Sequence, residues 1–592
     1  MLLTAGVFLF NLLCGLVPCD PSLPKPEILA VPKDSSIRAR NVANSDIEPL
    51  VKLPNGILEG YRMKSMNGRN FFAFEGIPYG ENTGGVRRWK PPVPKRPWRG
   101  VRQAKKPGSD CLQLSIQKMF RVYGSEDCLF INVYSSKLSH HNESAHGLPV
   151  IVFIHGGSFV FGSGAEYGPA YMLNENIVLV TLNYRLGALG FLSTGDHHMP
   201  GNYGLKDQVL ALKWVHENIA YFGGNPRNVS LWGNSAGGVS VHLHLISNKT
   251  RDYFSTAMSS SGTAFQPWAV HSAKKMKAFA QRLGQRFGCQ NEDSYEFVQC
   301  IQRIDSNFLT AAQLSLFDWF PFPPVLFSAT VEPPHPDAFL TISPEEAYKT
   351  GVVAKKPFIM GFTKDEGKTA MMLLQPLMRT FPLRAMWKQI APVFLEYKNL
   401  VQNPDNLTSL IEEFYIPGKT AWQASLDDFG DMTSDRYLIF GTIRGLQVHA
   451  NYYPSGTYLY YFAFTEGNHN LANFLGYKGS EWGAGHTEDI FFLFNNTGAY
   501  TGHEQEDPDT ELSKIMINLM TNFADTGVPE YRTDDRKMMR IWDPVHNPSQ
   551  INVMQFDKEV KMIPLPSPLI KRLNFWNTLN LPDMNLYFPL SS

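Results

Sequence analysis

Charge is scarce in this chain and balanced. Asp, Glu, Lys and Arg make up 18% of 592 residues, and 54 basic residues offset 54 acidic ones. No basic excess points to nucleic acid, and no acidic tail points to a cationic partner. After Val17 no segment stays apolar for the roughly 18 residues that a membrane helix needs. No internal repeat and no low-complexity tract occurs. There is no H-E-x-x-H and no paired C-x-x-C, so no metal is expected. Gly361…Gly367-Lys368-Thr369 looks like a phosphate loop, but its glycines are spaced one residue too far apart, and no cofactor is expected. What remains is a chain that is 43% hydrophobic and 13% aromatic, enough for a large buried core. Its length would allow several domains, although large α/β enzymes also run as one unit.

Leu2 to Val17 is apolar, uncharged and short for a membrane span. Residues 1–19 read as a signal peptide cut near Cys19-Asp20, with a short anchor as the rival reading. Residues 20–47, rich in Pro, Ser and charge, read as a loose arm, and 48–592 as one domain. The C-terminus shows no lipid-anchor tail and no retention tetrapeptide, so secretion is expected. Four cysteines lie outside the leader: Cys111, Cys128, Cys289 and Cys300. An even number in a secreted chain suggests two disulfides. Of the three pairings, the sequential one, Cys111–Cys128 and Cys289–Cys300, closes two short loops and is expected. Sequons stand at Asn142, Asn248, Asn406 and Asn495, where glycans are expected. A fifth, Asn228, opens a buried strand and is a poor acceptor.

Leu148 to Ile154 and Ile177 to Leu182 are continuous apolar runs, as expected of central strands in a largely parallel sheet. Leu205, Val209, Leu212, Val215, Ile219 and Phe222 recur every three or four residues, which predicts an amphipathic helix. Asn228 to Gly233 reads as another strand, and an apolar stretch, Val239 to Ile246, follows. Between them lies Gly233-Asn234-Ser235-Ala236-Gly237. This G-x-S-x-G sits in strand-to-helix context, the setting of a nucleophile elbow. Only small residues fit beside a serine in so tight a turn, and the helix N-terminus beyond it favours an oxyanion. Strand, helix, strand, elbow, helix is the doubly wound pattern. Phe358 to Gly361 and Tyr458 to Phe464 add two strands. The regions 265–350 and 370–450 read as helical or irregular, forming a cap.

Acyl transfer by serine also needs a base, an acid to orient it, and oxyanion donors. In this fold they follow in the order serine, acid, histidine. Lys364-Asp365-Glu366-Gly367 follows one strand, and Gly483-Ala484-Gly485-His486-Thr487-Glu488-Asp489 follows another. His216, His242 and His244 lie on helices and read as packing residues, and His155 as shaping the Gly-Gly turn.

Further motifs lie in register with these. They include Ser125-Glu126-Asp127-Cys128-Leu129, His155-Gly156-Gly157, Asn183-Tyr184-Arg185-Leu186-Gly187 and Phe222-Gly223-Gly224-Asn225-Pro226. From about Val51 to about Asn580 the chain resembles a type-B carboxylesterase of the cholinesterase/carboxylesterase family of α/β hydrolases. The resemblance implies a large, mostly parallel sheet with helices on both faces and helical cap insertions. It implies Ser235 as nucleophile, His486 as base and Glu366, rather than Asp365, as orienting acid. The implied oxyanion donors are the N–H groups of Gly156, Gly157 and Ala236. Ser261 resembles the family's buried serine near the acid. Arg88–Glu126 and Arg185–Asp207 resemble its structural ion pairs, and the two disulfides also fit its pattern. The implied substrate is a small-molecule carboxylic ester.

Departures narrow the reading. Cholinesterases carry a Glu before the serine and a Trp within the first disulfide loop, which helps hold a quaternary ammonium. Here Asn234 precedes the serine, and the loop 112–127 has Phe120 and Tyr123 but no Trp. A lipophilic or general ester is therefore expected. Gly483 to Asp489 also has the form seen in insect juvenile-hormone esterases, which usually carry Gln where Asn234 stands. Phe317, Trp319, Phe320 and Phe322 either line an acyl pocket or pack in the core. The family also has non-catalytic ligand-binding and adhesion members, with a broken triad, a membrane span and a cytoplasmic tail. None of these is visible here, and an enzyme is expected.

Overall fold

Leu148–Ile154 is a strand along its whole length, and its side chains show why the run is unbroken. Val150, Val152 and Ile154 enter one hydrophobic core, while Ile151 and Phe153 enter a second on the opposite face. A strand covered on both sides has no use for polar alternation. The computed structural model describes residues 48–115, 120–138, 147–319, 325–372, 386–421, 423–466, 482–496 and 508–591. The expected leader and arm, Asn142, Phe320 and Phe322 lie outside them.

The central sheet has eleven strands. In chain order they are β1 (Tyr61–Lys64), β2 (Asn70–Pro78), β3 (Phe130–Ser135), β4 (Leu148–Ile154), β5 (Val178–Leu182), β6 (Gly224–Asn234), β7 (Thr256–Ser260), β8 (Phe358–Thr363), β9 (Thr457–Phe462), β10 (Asn552–Phe556) and β11 (Lys561–Pro564). Across the sheet they run β11-β10-β9-β8-β7-β6-β4-β5-β3-β2-β1. Every pairing from β10 to β5 is parallel. The margins, β11 at one side and β3, β2 and β1 at the other, are antiparallel. Helices cover both faces. Leu205, Leu212 and Val215 of α1 (Tyr203–Asn218) and Val239, Val241 and Leu243 of α2 (Ala236–Ile246) join the first core. Leu519 and Phe523 of α4 (Pro508–Thr526) join the second. A π-helical turn, Asp435–Ile439, runs into α3 (Phe440–Tyr452).

The described residues form the two sequential disulfides, Cys111–Cys128 and Cys289–Cys300. Arg88 grips Glu126 with two bonds of 2.7 Å. Arg185 grips Asp207 on α1 at 2.8 and 2.7 Å, fully buried. Phe317 and Trp319 pack against the first core. Asn248 and Asn406 are exposed. Asn495 is half-buried and accepts from the Ala170 N–H at 2.7 Å. Asn228 donates to the Asp525 backbone and side chain.

Candidate active site

β6 ends at Asn234 and α2 begins at Ala236, so a single residue turns strand into helix. Ser235 does this at φ 56° and ψ −121°, which non-glycine residues rarely adopt, at a cost of about 1–3 kcal/mol. Two bonds hold it there. Its N–H donates to Ser260 O (2.8 Å), and its carbonyl accepts from Val239 N (2.9 Å). The turn excludes side chains on both flanks. A Cβ on Gly233 would lie 2.3 Å from Gly237 O, and one on Gly237 would lie 2.0 Å from Ile154 O. Ser235 stays 7% exposed, over the N-terminus of α2 with its unsatisfied N–H groups.

β4 lies beside β6 and is followed by His155-Gly156-Gly157. A Cβ on Gly156 would come within 3.0 Å of the Ser235 Cβ, so this turn lies against the serine. His155 is buried, stacks on Tyr184 with ring centroids 4.4 Å apart, and places Nδ1 2.8 Å from Gly156 O. Burial lowers its pKa to about 4, so it is a neutral packing residue at physiological pH.

β7, β8 and β9 follow β6 across the sheet, and the loop after each carries one more polar group. Ser261 Oγ, after β7, donates to Glu366 Oε1 at 2.6 Å. The Thr363 N–H, at the end of β8, donates to the same oxygen at 2.9 Å. His486, after β9, places Nδ1 2.6 Å from Glu366 Oε2. A carboxylate only accepts, so Nδ1 carries the hydrogen and Nε2 keeps the lone pair in the neutral ring. Asp365 has a different task. It accepts from the Ala484 N–H (3.1 Å) and donates its own N–H to Ala484 O (2.8 Å), clasping the histidine loop.

This topology, with a strained serine after one central strand and a carboxyl–imidazole pair beyond its neighbours, agrees with a family-wide match. The model of the carboxylesterase family matches residues 47–576. The chain belongs to the carboxylesterase family. It is 36% identical to esterase FE4 of Myzus persicae over 513 residues, 85% of this chain and 88% of the relative. It is 35% identical to juvenile hormone esterase of Tribolium castaneum over 513 residues, 81% of this chain and 84% of the relative. The crystal structure of juvenile hormone esterase from Manduca sexta, with OTFP covalently attached, matches with a TM-score of 0.79 at 26% identity. That match covers 90% of this chain and 99% of the other. This carboxylesterase therefore has the α/β-hydrolase fold and is a serine esterase that hydrolyses carboxylic esters.

Sequence reasoning missed Thr363, whose contribution is a backbone N–H that any residue could supply. It also missed the side chains under the sheet edge: Trp232, Ser260 and Tyr460. Their residue types read only as core strand. Among the described residues no cluster of potential metal ligands occurs and no helix is long and apolar enough to cross a membrane.

Proposed function

We propose that this carboxylesterase is secreted and acts on lipophilic carboxylic esters through Ser235, His486 and Glu366. The observation that carries the reading is the double engagement of Glu366. Ser261 and Thr363 hold one oxygen, and the other faces His486 on the neighbouring loop. In this scheme His486 Nε2 takes the Ser235 proton as Oγ attacks the ester carbonyl carbon. The tetrahedral oxyanion collapses, the C–O bond to the alcohol breaks, and His486 returns the proton to the departing alkoxide. Water then repeats the sequence on the acyl-enzyme. Gly156, Gly157 and Ala236 are the proposed oxyanion donors. The relative named venom carboxylesterase-6 of Apis mellifera supports secretion, and the relatives named juvenile hormone esterase support the ester class.

The test is a pre-steady-state assay with p-nitrophenyl acetate and butyrate beside Ser235→Ala. A stoichiometric burst that disappears in the variant is expected. A variant that keeps the wild-type burst would remove Ser235 from the reaction. A juvenile-hormone-type specificity is the second reading, favoured by the Gly483 to Asp489 pattern. It predicts faster turnover of juvenile hormone than of p-nitrophenyl butyrate under equal conditions.

A further inference from the structure

Charge balances over the whole chain but not along it. No acidic residue occurs between Glu81 and Asp110, and the twenty residues from Arg87 to Lys106 hold nine cations. Nearby carboxylates neutralise only part of this. Glu126 takes Arg88, Glu81 takes Lys95 and Arg96, and Glu48 and Glu59 share Lys105. Arg87, Lys90, Arg99, Arg102 and Lys106 have no carboxylate partner among the described residues. All of them but the half-buried Arg102 are exposed. Cations crowded in this way repel one another, and an anionic partner relieves the repulsion.

The backbone that carries these cations is fixed. Pro91, Pro92, Pro94 and Pro97 stiffen it. The Glu81 N–H donates to Val93 O (2.9 Å), the Lys95 N–H to Tyr79 O (3.1 Å) and the Trp98 N–H to Asn55 O (2.8 Å). The strand Val101–Gln103 then pairs in parallel with Gly56–Glu59, and the Glu75 N–H donates to Ala104 O at 2.9 Å. An anion that binds this strap therefore costs little backbone entropy. The side chains also say which kind of anion fits. Tryptophans anchor proteins at lipid interfaces, but both tryptophans of the strap are engaged inward. Trp89 is buried and donates to Ala188 O at 2.8 Å. Trp98 is half-buried, lies over Gly56 and donates to Ile57 O at 3.2 Å. The exposed apolar side chains of the strap, Val93 and Val101, are small and stand singly. Five of the nine cations are arginines, whose planar forks suit oxyanions.

We propose that the strap from Arg87 to Lys106 is a docking surface for an extracellular sulfated polysaccharide. The sulfates and carboxylates of such a linear polyanion lie along the unpaired cations. The inference rests on the proposed secretion and is independent of the roles of Ser235 and His486, since no residue of the ester-hydrolysing site belongs to the strap. Docking there retains the esterase at a polysaccharide-coated surface without using the site. Exposed charges are screened over about 8 Å at physiological ionic strength, so the binding weakens with added salt.

The experiment is retention of the purified full chain on immobilised heparin, a sulfated polysaccharide, in a rising NaCl gradient that starts at about 0.15 M. Wild type is compared with the triple reversal Lys90→Glu, Arg99→Glu, Lys106→Glu. A control reverses three exposed lysines elsewhere, Lys274→Glu, Lys277→Glu, Lys388→Glu, and so has the same net charge. Wild type and control should be retained, and the strap variant should bind about tenfold more weakly and elute earlier. Its kcat/KM for p-nitrophenyl butyrate should stay at the wild-type value. Wild type that passes through at the starting salt overturns the proposal, and so does a control that elutes with the strap variant. If the triple reversal does not fold, the single changes Lys90→Gln, Arg99→Gln and Lys106→Gln replace it. Each should lower the elution salt, and elution of all three at the wild-type salt overturns the proposal. Vesicles of phosphatidylcholine with phosphatidylserine test the lipid alternative. Co-sedimentation with them, without retention on heparin, overturns the polysaccharide in favour of a membrane. The share of expressed protein in the medium reports secretion separately, and the Ser235→Ala burst reports the site. A chain that is secreted and shows the burst, yet passes through heparin, defeats only the docking surface.

Discussion

At the scale of a residue, Glu366 shows how identity alone can leave a choice open. Asp365 and Glu366 are adjacent carboxylates in one loop, and nothing in their own chemistry ranks them. Their partners do. Asp365 is occupied by the Ala484 backbone, whereas Glu366 faces His486. Ser261 supplies one of the two donors on Glu366 Oε1, and Thr363 supplies the other. Ser261→Ala therefore leaves that oxygen half satisfied and the carboxylate less firmly placed. The expected outcome is a fall in kcat of about tenfold, with KM near its original value. Steady-state kinetics with p-nitrophenyl acetate measures it, and a variant at full kcat would show that Thr363 suffices.

At the scale of elements, legibility followed burial. β4 was readable to the residue because both of its faces are covered, and the same holds for nearly all of β5. The margins were not. β1 and β2 pair antiparallel with register set by tertiary contacts, which side-chain pattern alone does not supply. The amphipathic run to Phe222 predicts one helix, yet it closes as a 3-10 turn, Ile219–Phe222. Apolar spacing of three or four residues fits either geometry. The π-helical turn Asp435–Ile439 had no visible signal, since side-chain periodicity hardly differs over five residues. The ion pair from the loop after β5 to α1 was anticipated by resemblance, and its burial gives a prediction. Burial raises the Asp207 carboxyl, while Arg185 beside it acts in the opposite direction. Asp207→Asn leaves the guanidinium buried and uncompensated, and should destabilise by about 3–5 kcal/mol. Chemical denaturation beside wild type is the check. A midpoint within error of wild type would mean that the pair is dispensable.

At the scale of the whole molecule, buried histidines set the acid limit. Burial lowers His155 and His449 to about 4 and His244 to about 3, and holds His242 and His271 well below the ordinary value. Each is neutral when folded but takes a proton near pH 6.5 when unfolded. The stability they contribute is complete above about 6.5 and is lost as pH falls toward 4, at about 1.4 kcal/mol per pH unit for each group. Asp435 and Asp489, raised to about 6 by burial, work in the opposite direction, and the more exposed Glu166 adds less. Five histidines outweigh these, so the melting temperature should drop between pH 6.5 and 5. His244→Gln should shallow that slope, and an unchanged slope would remove His244 from the account. The groups that meet at the sheet edge come from positions 156, 235, 261, 366 and 486, while the disulfides join residues only 17 and 11 apart. The crosslinks therefore pre-pay almost none of the loop closure that brings these groups together. On the proposed roles of Ser235 and His486, a ribosome must release the histidine loop before any copy of the chain can cleave an ester, so catalytic competence arrives late in synthesis and a half-made esterase stays chemically silent.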